Sequence, residues 1–82
     1  MERRKEPLRR RMLKGGKIVF NNRNSTIGCV VRNMTESGAR LEVPSTSGIP
    51  DAFTLESEDG TIRHNCVAKW RKDNVLGVEF TD

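Results

Sequence analysis

The sequence predicts an all-β fold of six short strands, arranged as a small barrel or sandwich, and two observations lead to this prediction. From residue 17 onward, short segments of alternating apolar and polar residues are separated by clusters of Gly, Pro, Asn, Asp and Ser. No segment shows a convincing helical spacing of apolar residues. The chain has 82 residues, of which 34% are hydrophobic, which is enough for one core and one domain. Short strands around one core are typical of small barrels and sandwiches.

The first three strands are predicted at residues 17–21, 26–32 and 39–43. The polar residues 21–24 end the first strand, because asparagine favours turns. In the second strand, apolar residues at every other position share one face of the sheet. Residues 34–37 form the turn that leads into the third strand.

The last three strands are predicted at residues 52–57, 61–70 and 75–80. The segment 44–50 that precedes them is rich in Pro, Ser, Thr and Gly, which indicates a loop. An Asp-Gly pair at 59–60 marks a hairpin turn, because this pair tolerates positive φ. The last strand alternates apolar and other residues regularly, which indicates one buried face.

The apolar residues on the inner faces of these strands are expected to form most of the core. They are Ile27, Cys29, Val31, Leu41, Val43, Phe53, Leu55, Val67, Leu76, Val78 and Phe80. Cys29 and Cys66 are interpreted as buried, reduced thiols that pack as small hydrophobic residues. Two cysteines and a single histidine do not suggest a zinc site.

Positive charge is concentrated at the start of the chain. Residues 1–17 hold eight basic and two acidic residues, whereas residues 18–82 hold seven basic and nine acidic ones. A Gly-Gly pair at 15–16 ends this basic segment, so we expect a flexible basic arm over residues 1–16 and the β domain over residues 17–82. Such an arm attracts phosphate groups or an acidic partner. The alternative is a solvated tail.

Residues that could carry catalysis do not cluster in the sequence. There is no nucleophile elbow, phosphate-binding loop or set of metal ligands. His64 is the only histidine, and we interpret it as an exposed or hydrogen-bonded structural residue. Glu56, Glu58 and Asp59 surround a hairpin turn, where we expect them to be solvated. The sequence therefore favours a ligand-binding module with no catalytic residues, metal or cofactor over an enzyme.

One predicted turn combines residues that suit ligand recognition. Asn33 and Thr35 lie two residues apart, so their amide and hydroxyl groups can project to the same side and read the edge of a base. Gly38 can adopt positive φ or let a ligand come close. The alternative interpretation is an ordinary hairpin turn that contains a glycine.

Together with the arm, this turn resembles the PilZ domain family, in which a basic R-x-x-x-R segment precedes a β-barrel that carries [D/N]-x-S-x-x-G. Asn33, Thr35 and Gly38 match the second motif, with threonine in place of serine. The end of the chain is also similar, with Val67-x-x-Trp70 followed by Leu-Gly-Val-Glu-Phe at 76–80. The resemblance covers nearly the whole chain. It implies a six-stranded antiparallel barrel of the split-barrel type that binds cyclic di-GMP, a bacterial second messenger.

The first motif departs from the family pattern. Arg4 and Arg9 form R-x-x-x-x-R, which is one residue longer than the family's spacing. We expect Arg9 and Arg10, with Arg4 as a third, to bind the nucleotide together with the Asn-x-Thr-x-x-Gly turn. A guanidinium can meet O6 and N7 of guanine bidentately or fork onto a phosphate, which lysine does less well. Trp70 either packs on the barrel or stacks on the ligand.

The resemblance implies a cytoplasmic receptor or adaptor in signal transduction that switches an unidentified effector protein. No apolar run is long enough to span a bilayer, so no membrane insertion is expected. Two other interpretations stay open. The chain could be a degenerate PilZ domain that binds no nucleotide and works as a protein-interaction module. A small nucleic-acid-binding barrel is disfavoured, because the chain has few aromatic residues and no strand where they cluster for base stacking.

Overall fold

The computed structural model describes residues 10–82, with side chains from residue 12 onward, and it shows a closed six-stranded barrel. The strands are β1 (Arg10–Phe20), β2 (Ser25–Met34), β3 (Gly38–Glu42), β4 (Ala52–Ser57), β5 (Arg63–Lys72) and β6 (Val75–Phe80). Around the barrel they follow the order β1-β2-β3-β6-β5-β4, and all neighbours are antiparallel. The prediction of a small six-stranded antiparallel β-barrel is confirmed. Within residues 10–82, no helix has the length and apolar character needed to cross a bilayer.

The first strand begins seven residues earlier than the sequence predicts. Residues 10–16, which we assigned to the flexible arm, belong to β1 and pair with β2. The Gly-Gly pair does not break this strand, because glycine is required there for another reason. A Cβ atom on Gly16 would lie 2.7 Å from the carbonyl oxygen of Glu56, so glycine lets β1 approach β4 closely.

The core fills the inside of the barrel with alternate residues of every strand. Its most completely buried side chains are Ile18, Leu41, Leu55, Leu76, Val31 and Cys66. Of the predicted core residues, Ile27 and Phe80 are only partly buried and pack against the others. The prediction that Val67 belongs to the core is wrong. Cys66 lies on the inner face of β5, so Val67, the next residue, points outward. Ile18, Ile49 and Ile62 are core residues that the sequence analysis did not select.

Three strands contain an extra residue, and these irregularities change which side chains face outward. The register shifts between Arg11 and Lys14 in β1, near Arg32 in β2, and between Ala68 and Trp70 in β5. A β-bulge of this kind redirects the side chains that follow it, because residues alternate between the two faces of a strand. The bulges in β2 and β5 change the direction of Asn33 and Trp70.

Candidate functional site

A row of outward-facing residues crosses four adjacent strands of the barrel. Asn33 in β2 is opposite Arg40 in β3, Arg40 is opposite Gly77 in β6, and Gly77 is opposite Trp70 in β5. Directly opposed residues of antiparallel strands share a face. Leu41, which follows Arg40, is fully buried, so the row lies on the outer surface of the barrel.

The two bulges place the ends of this row on the outer surface. Val31 points into the core, and strict alternation would direct Asn33 inward as well. The extra residue Arg32 reverses this, and Asn33 pairs with the exposed Arg40. In β5, Ala68 packs against the core, and strict alternation would direct Trp70 inward as well. The extra residue between them turns Trp70 outward.

An aromatic side chain and a guanidinium lie together in the middle of the row. Trp70 is 44% exposed, although it is the largest side chain in the protein. A Cβ atom on Gly77 would collide with the Trp70 indole, so the indole lies directly against the backbone of β6. The guanidinium carbon of Arg40 is 5.7 Å from the centre of the indole ring, which is within the range of a cation–π interaction.

This row forms the floor of a groove with a volume of about 520 Å³. One wall is the turn between β2 and β3, which contains Thr35 and leads into Gly38 of β3, and the other is formed by Lys69 and Glu79. Lys69 Nζ lies 3.5 Å from a carboxylate oxygen of Glu79, and both side chains are more than half exposed. The groove therefore combines an apolar surface with groups of both charges.

A second depression adjoins the groove on the other side of the Asn33–Arg40 pair. It is lined by Leu13 of β1 and by Arg32 and Glu42, whose side chains form an ion pair of 2.8 Å. Leu13 is 76% exposed. Asn33 and Arg40 thus contribute to both concave surfaces.

The Thr35 hydroxyl stabilises the turn between β2 and β3. Its oxygen accepts hydrogen bonds from the backbone N–H of Ser37, at 3.2 Å, and of Gly38, at 3.1 Å. The backbone N–H of Thr35 also donates to the carbonyl oxygen of Gly38, at 2.8 Å. The hydroxyl that we selected for ligand recognition therefore already holds one wall of the groove in place.

Gly38 is required for packing between strands rather than for an unusual backbone conformation. Among the described glycines, positive φ occurs at Gly48 and Gly60, so Gly38 does not use the first of the two properties considered for it, and the close approach of a ligand stays a prediction. A Cβ atom at this position would collide with the carbonyl oxygen of Val78 in β6. Gly38 therefore allows β3 to begin in close contact with β6.

The start of β1 lies at the same end of the barrel as the turn between β2 and β3. Arg10 is opposite Met34, the last residue of β2, and Arg11 is opposite Asn33. β1 thus begins beside the turn that borders the groove. Arg4 and Arg9 lie outside the described residues, and for Arg10 the described part is the backbone.

The other polar residues singled out from the sequence stabilise turns and the end of the chain. Asp59 accepts hydrogen bonds from Lys14, Thr61 and Ser57. These bonds, the one from Lys14 most of all, hold the pKa of Asp59 below its ordinary range. The His64 ring stacks on Phe80 with centroids 3.9 Å apart. The described part of the chain contains no group of three or more His, Cys, Asp or Glu residues that could hold a metal ion.

His64 also contacts the end of the chain. Its Nδ1 atom is 3.2 Å from a carboxylate oxygen of Asp82, whose other oxygen accepts the backbone N–H of Asn65. These two contacts, the Asn65 N–H first, lower the pKa of Asp82. His64 is thus hydrogen-bonded in the structure, as we interpreted it from the sequence.

No family model matches the chain, and no curated protein matches it. The resemblance to PilZ domains, which the sequence motifs suggest, therefore stays a prediction. Arg40 was not predicted as a site residue from the sequence. Its outward position in β3 could be predicted from alternation with Leu41. Its proximity to Trp70 could not, because it depends on the pairing of β3 and β5 with β6.

Proposed function

We propose that this protein is a PilZ-like receptor that binds cyclic di-GMP in the groove on the outer surface of its barrel. The observation that carries the proposal is the Asn33–Arg40–Trp70 row, which lies beside the Asn-x-Thr-x-x-Gly turn. The three side chains offer an amide, a guanidinium and an exposed aromatic face within one concave surface. The volume of about 520 Å³ falls within the range of about 300–1,000 Å³ that is usual for small-molecule sites.

The chemistry of the row suits a guanine nucleotide. A guanine base is flat, so it can stack on the exposed part of the Trp70 indole, and base–aromatic stacking contributes about 1–3 kcal/mol. Guanine also offers O6 and N7 as adjacent acceptors, which a guanidinium such as that of Arg40 can meet. The Asn33 amide can donate and accept hydrogen bonds at a base edge.

The basic segment that leads into β1 supplies the charge that two phosphates require. Arg9 and Arg10 directly precede Arg11, which is opposite Asn33. Arg4 comes five residues before Arg9. Charge-assisted hydrogen bonds from guanidinium to phosphate are about twice as strong as neutral ones. Ligand binding by this segment would change the surface that the protein presents to an effector protein, which gives the site a switching role.

A protein-interaction role without nucleotide is the second candidate. Among the described residues, Leu13 and Trp70 are the large hydrophobic side chains with high exposure, and both border the depressions that share Arg40. Contiguous exposed apolar surface commonly marks sites of protein contact, and these two side chains lie on adjoining depressions. This candidate predicts that the same surface binds a protein whether or not cyclic di-GMP is present.

Trp70 fluorescence tests the proposal directly. Trp70 is the only tryptophan and the chain has no tyrosine, so intrinsic emission reports on this groove alone. Adding cyclic di-GMP should change the emission with a saturable curve that matches the heat measured by calorimetry. Cyclic di-AMP is the matched control, because adenine lacks the O6 acceptor. Binding heat without a change in emission would place the nucleotide elsewhere, and no heat at all would contradict the proposal.

Variants separate specific recognition from simple charge. Replacing Arg9 or Arg10 by Ala should weaken binding by roughly 1.5–3 kcal/mol, the range for hydrogen bonds to charged groups. Replacement by Lys should recover little of this, because lysine keeps the charge but loses the planar fork. Asn33→Ala should also weaken binding while leaving stability nearly unchanged. Lys17→Ala, an exposed position outside the proposed site, is the control and should bind like wild type.

A further inference from the structure

The groove that contains Trp70 also contains a carboxylate. Among the described residues that line the groove, Glu79 is the only acidic one. Glu79 lies in β6, two residues beyond Gly77 and on the same outer face of the strand. Along an extended strand, two residues span about 6.8 Å. Because the indole lies against Gly77, Glu79 is beside the part of β6 that the indole covers.

The surroundings of Glu79 leave its carboxylate open to a ligand. Its partner in β3 is Gly38, which has no side chain, and its partner in β5 is Val67. The Glu79 side chain is 55% exposed, and Lys69 Nζ approaches Oε1 only to 3.5 Å. A charged hydrogen bond usually measures about 2.7–2.9 Å. Because ion pairs this exposed are weak, a ligand can bind the carboxylate in place of Lys69.

A guanidinium and a carboxylate border the indole on two adjacent sides. Arg40 and Trp70 lie on opposite sides of Gly77, in the row that crosses the strands. Glu79 lies further along β6, at a right angle to that row. Among the described residues, no carboxylate lies within salt-bridge distance of Arg40. A flat molecule stacked on the indole can therefore meet a donor group at one edge and an acceptor group at the next edge.

Guanine matches this arrangement of groups. One edge of the base carries the acceptors O6 and N7, and the adjacent edge carries the donors N1–H and the 2-amino group. A guanidinium only donates hydrogen bonds and an ionised carboxylate only accepts them, so Arg40 suits the first edge and Glu79 the second. Adenine has an unprotonated N1 and no 2-amino group, so it offers the carboxylate no such pair of donors.

We propose that Glu79 makes the groove selective for guanine, by accepting hydrogen bonds from N1–H and the 2-amino group of a base that stacks on Trp70. Arg40 binds the O6 and N7 edge of the same base. Glu79 acts on the ligand of the proposed function, so this inference rests on that function. A carboxylate repels the phosphates of a nucleotide, and this allows recognition by Glu79 to be distinguished from an effect of charge alone.

Two nucleotides and two variants of the full chain test this role by calorimetry. Cyclic di-IMP differs from cyclic di-GMP only in lacking the 2-amino groups. Wild type should bind cyclic di-GMP about tenfold more tightly than cyclic di-IMP, or more, which is the loss expected for one hydrogen bond to a charged group. In Glu79→Gln this ratio should fall to about twofold, because a neutral acceptor is weaker. Asp73→Asn removes the same charge from an exposed turn outside the groove and should keep the wild-type ratio.

The direction of the change in affinity gives a second test. If Glu79 contacted no base, its removal would relieve repulsion, and Glu79→Gln would bind both nucleotides more tightly. Recognition predicts weaker binding of cyclic di-GMP instead. Tighter binding, an unchanged ratio in Glu79→Gln, or equal affinity of wild type for the two nucleotides would overturn the role of Glu79 and leave nucleotide binding intact. Absence of heat with cyclic di-GMP in wild type would contradict the proposed function itself, and this inference with it.

Discussion

Replacing Thr35 by valine separates two roles that the sequence motif leaves combined, because it removes the hydroxyl while keeping the shape of the side chain. In the structure this oxygen accepts two backbone hydrogen bonds, from Ser37 at 3.2 Å and from Gly38 at 3.1 Å. A hydrogen bond contributes about 0.5–1.5 kcal/mol net, and water can replace part of it at a half-exposed turn. We therefore expect Thr35→Val to lower the free energy of unfolding by about 1–2 kcal/mol. Thr35→Ser keeps the acceptor and should stay close to wild type.

Urea unfolding followed by circular dichroism measures this difference, and calorimetry with cyclic di-GMP measures its consequence. Because the turn forms one wall of the groove, the valine variant should also bind nucleotide more weakly, while the serine variant should bind normally. An unchanged free energy of unfolding in Thr35→Val would refute the argument that the hydroxyl holds the turn. If stability were unchanged and binding were lost, the hydroxyl would contact the ligand directly.

Three further predictions address the core, the groove and the thiols. Leu41→Ala should cost about 2–5 kcal/mol in urea unfolding, because the side chain is fully buried, and a loss below about half a kcal/mol would show that it faces outward. Gly77→Ala should displace the Trp70 indole, which would shift its emission to longer wavelength and weaken nucleotide binding; an unchanged emission spectrum would contradict the contact. Burial raises the pKa of Cys29 to about 11 and that of Cys66 to about 12. Both thiols should therefore resist Ellman's reagent at pH 8 until the protein unfolds. Because an unfolded thiol loses its proton at lower pH than a buried one, stability should fall as pH rises from about 9 toward those values. Rapid reaction of the native protein at pH 8 would show that the thiols are accessible.

Two strands that are flanked by clear turn residues were predicted with the correct first and last residues. β4 and β6 have the predicted bounds, because turn residues flank them and most of their apolar residues occupy every other position. The predicted start of β1 was seven residues too late, for two physical reasons. The Gly-Gly pair resembles a break, although Gly16 serves a close approach of backbones. The bulge between Arg11 and Lys14 also removes the alternation that would have revealed the strand.

The inner face of β5 was predicted wrongly because the choice between Cys66 and Val67 was made from hydrophobicity alone. Val67 is more hydrophobic than its neighbour Cys66, so it was the natural choice for the core. In the barrel, Ile62, Cys66 and Ala68 share the inner face. The face of a strand is set by the parity of the whole strand, and a small buried thiol can take the position that an aliphatic residue would otherwise fill.

The candidate site could be predicted only in part, because it depends on pairing between strands that are distant in sequence. The Asn33–Gly38 turn is local and was recognised from its spacing. Arg40 and Trp70 meet only because β3 pairs with β6 and β6 with β5, which no local pattern indicates.

Alternation would also have placed both ends of the row inside the barrel. Asn33 follows the buried Val31 by two positions, and Trp70 follows Ala68, which packs on the core, by two positions. A bulge after each inward residue reverses that assignment. A buried tryptophan at this position would overfill a small core, and a buried asparagine would need hydrogen-bond partners there. The two bulges therefore turn side chains that would disrupt the interior into the exposed row that the proposed ligand would contact.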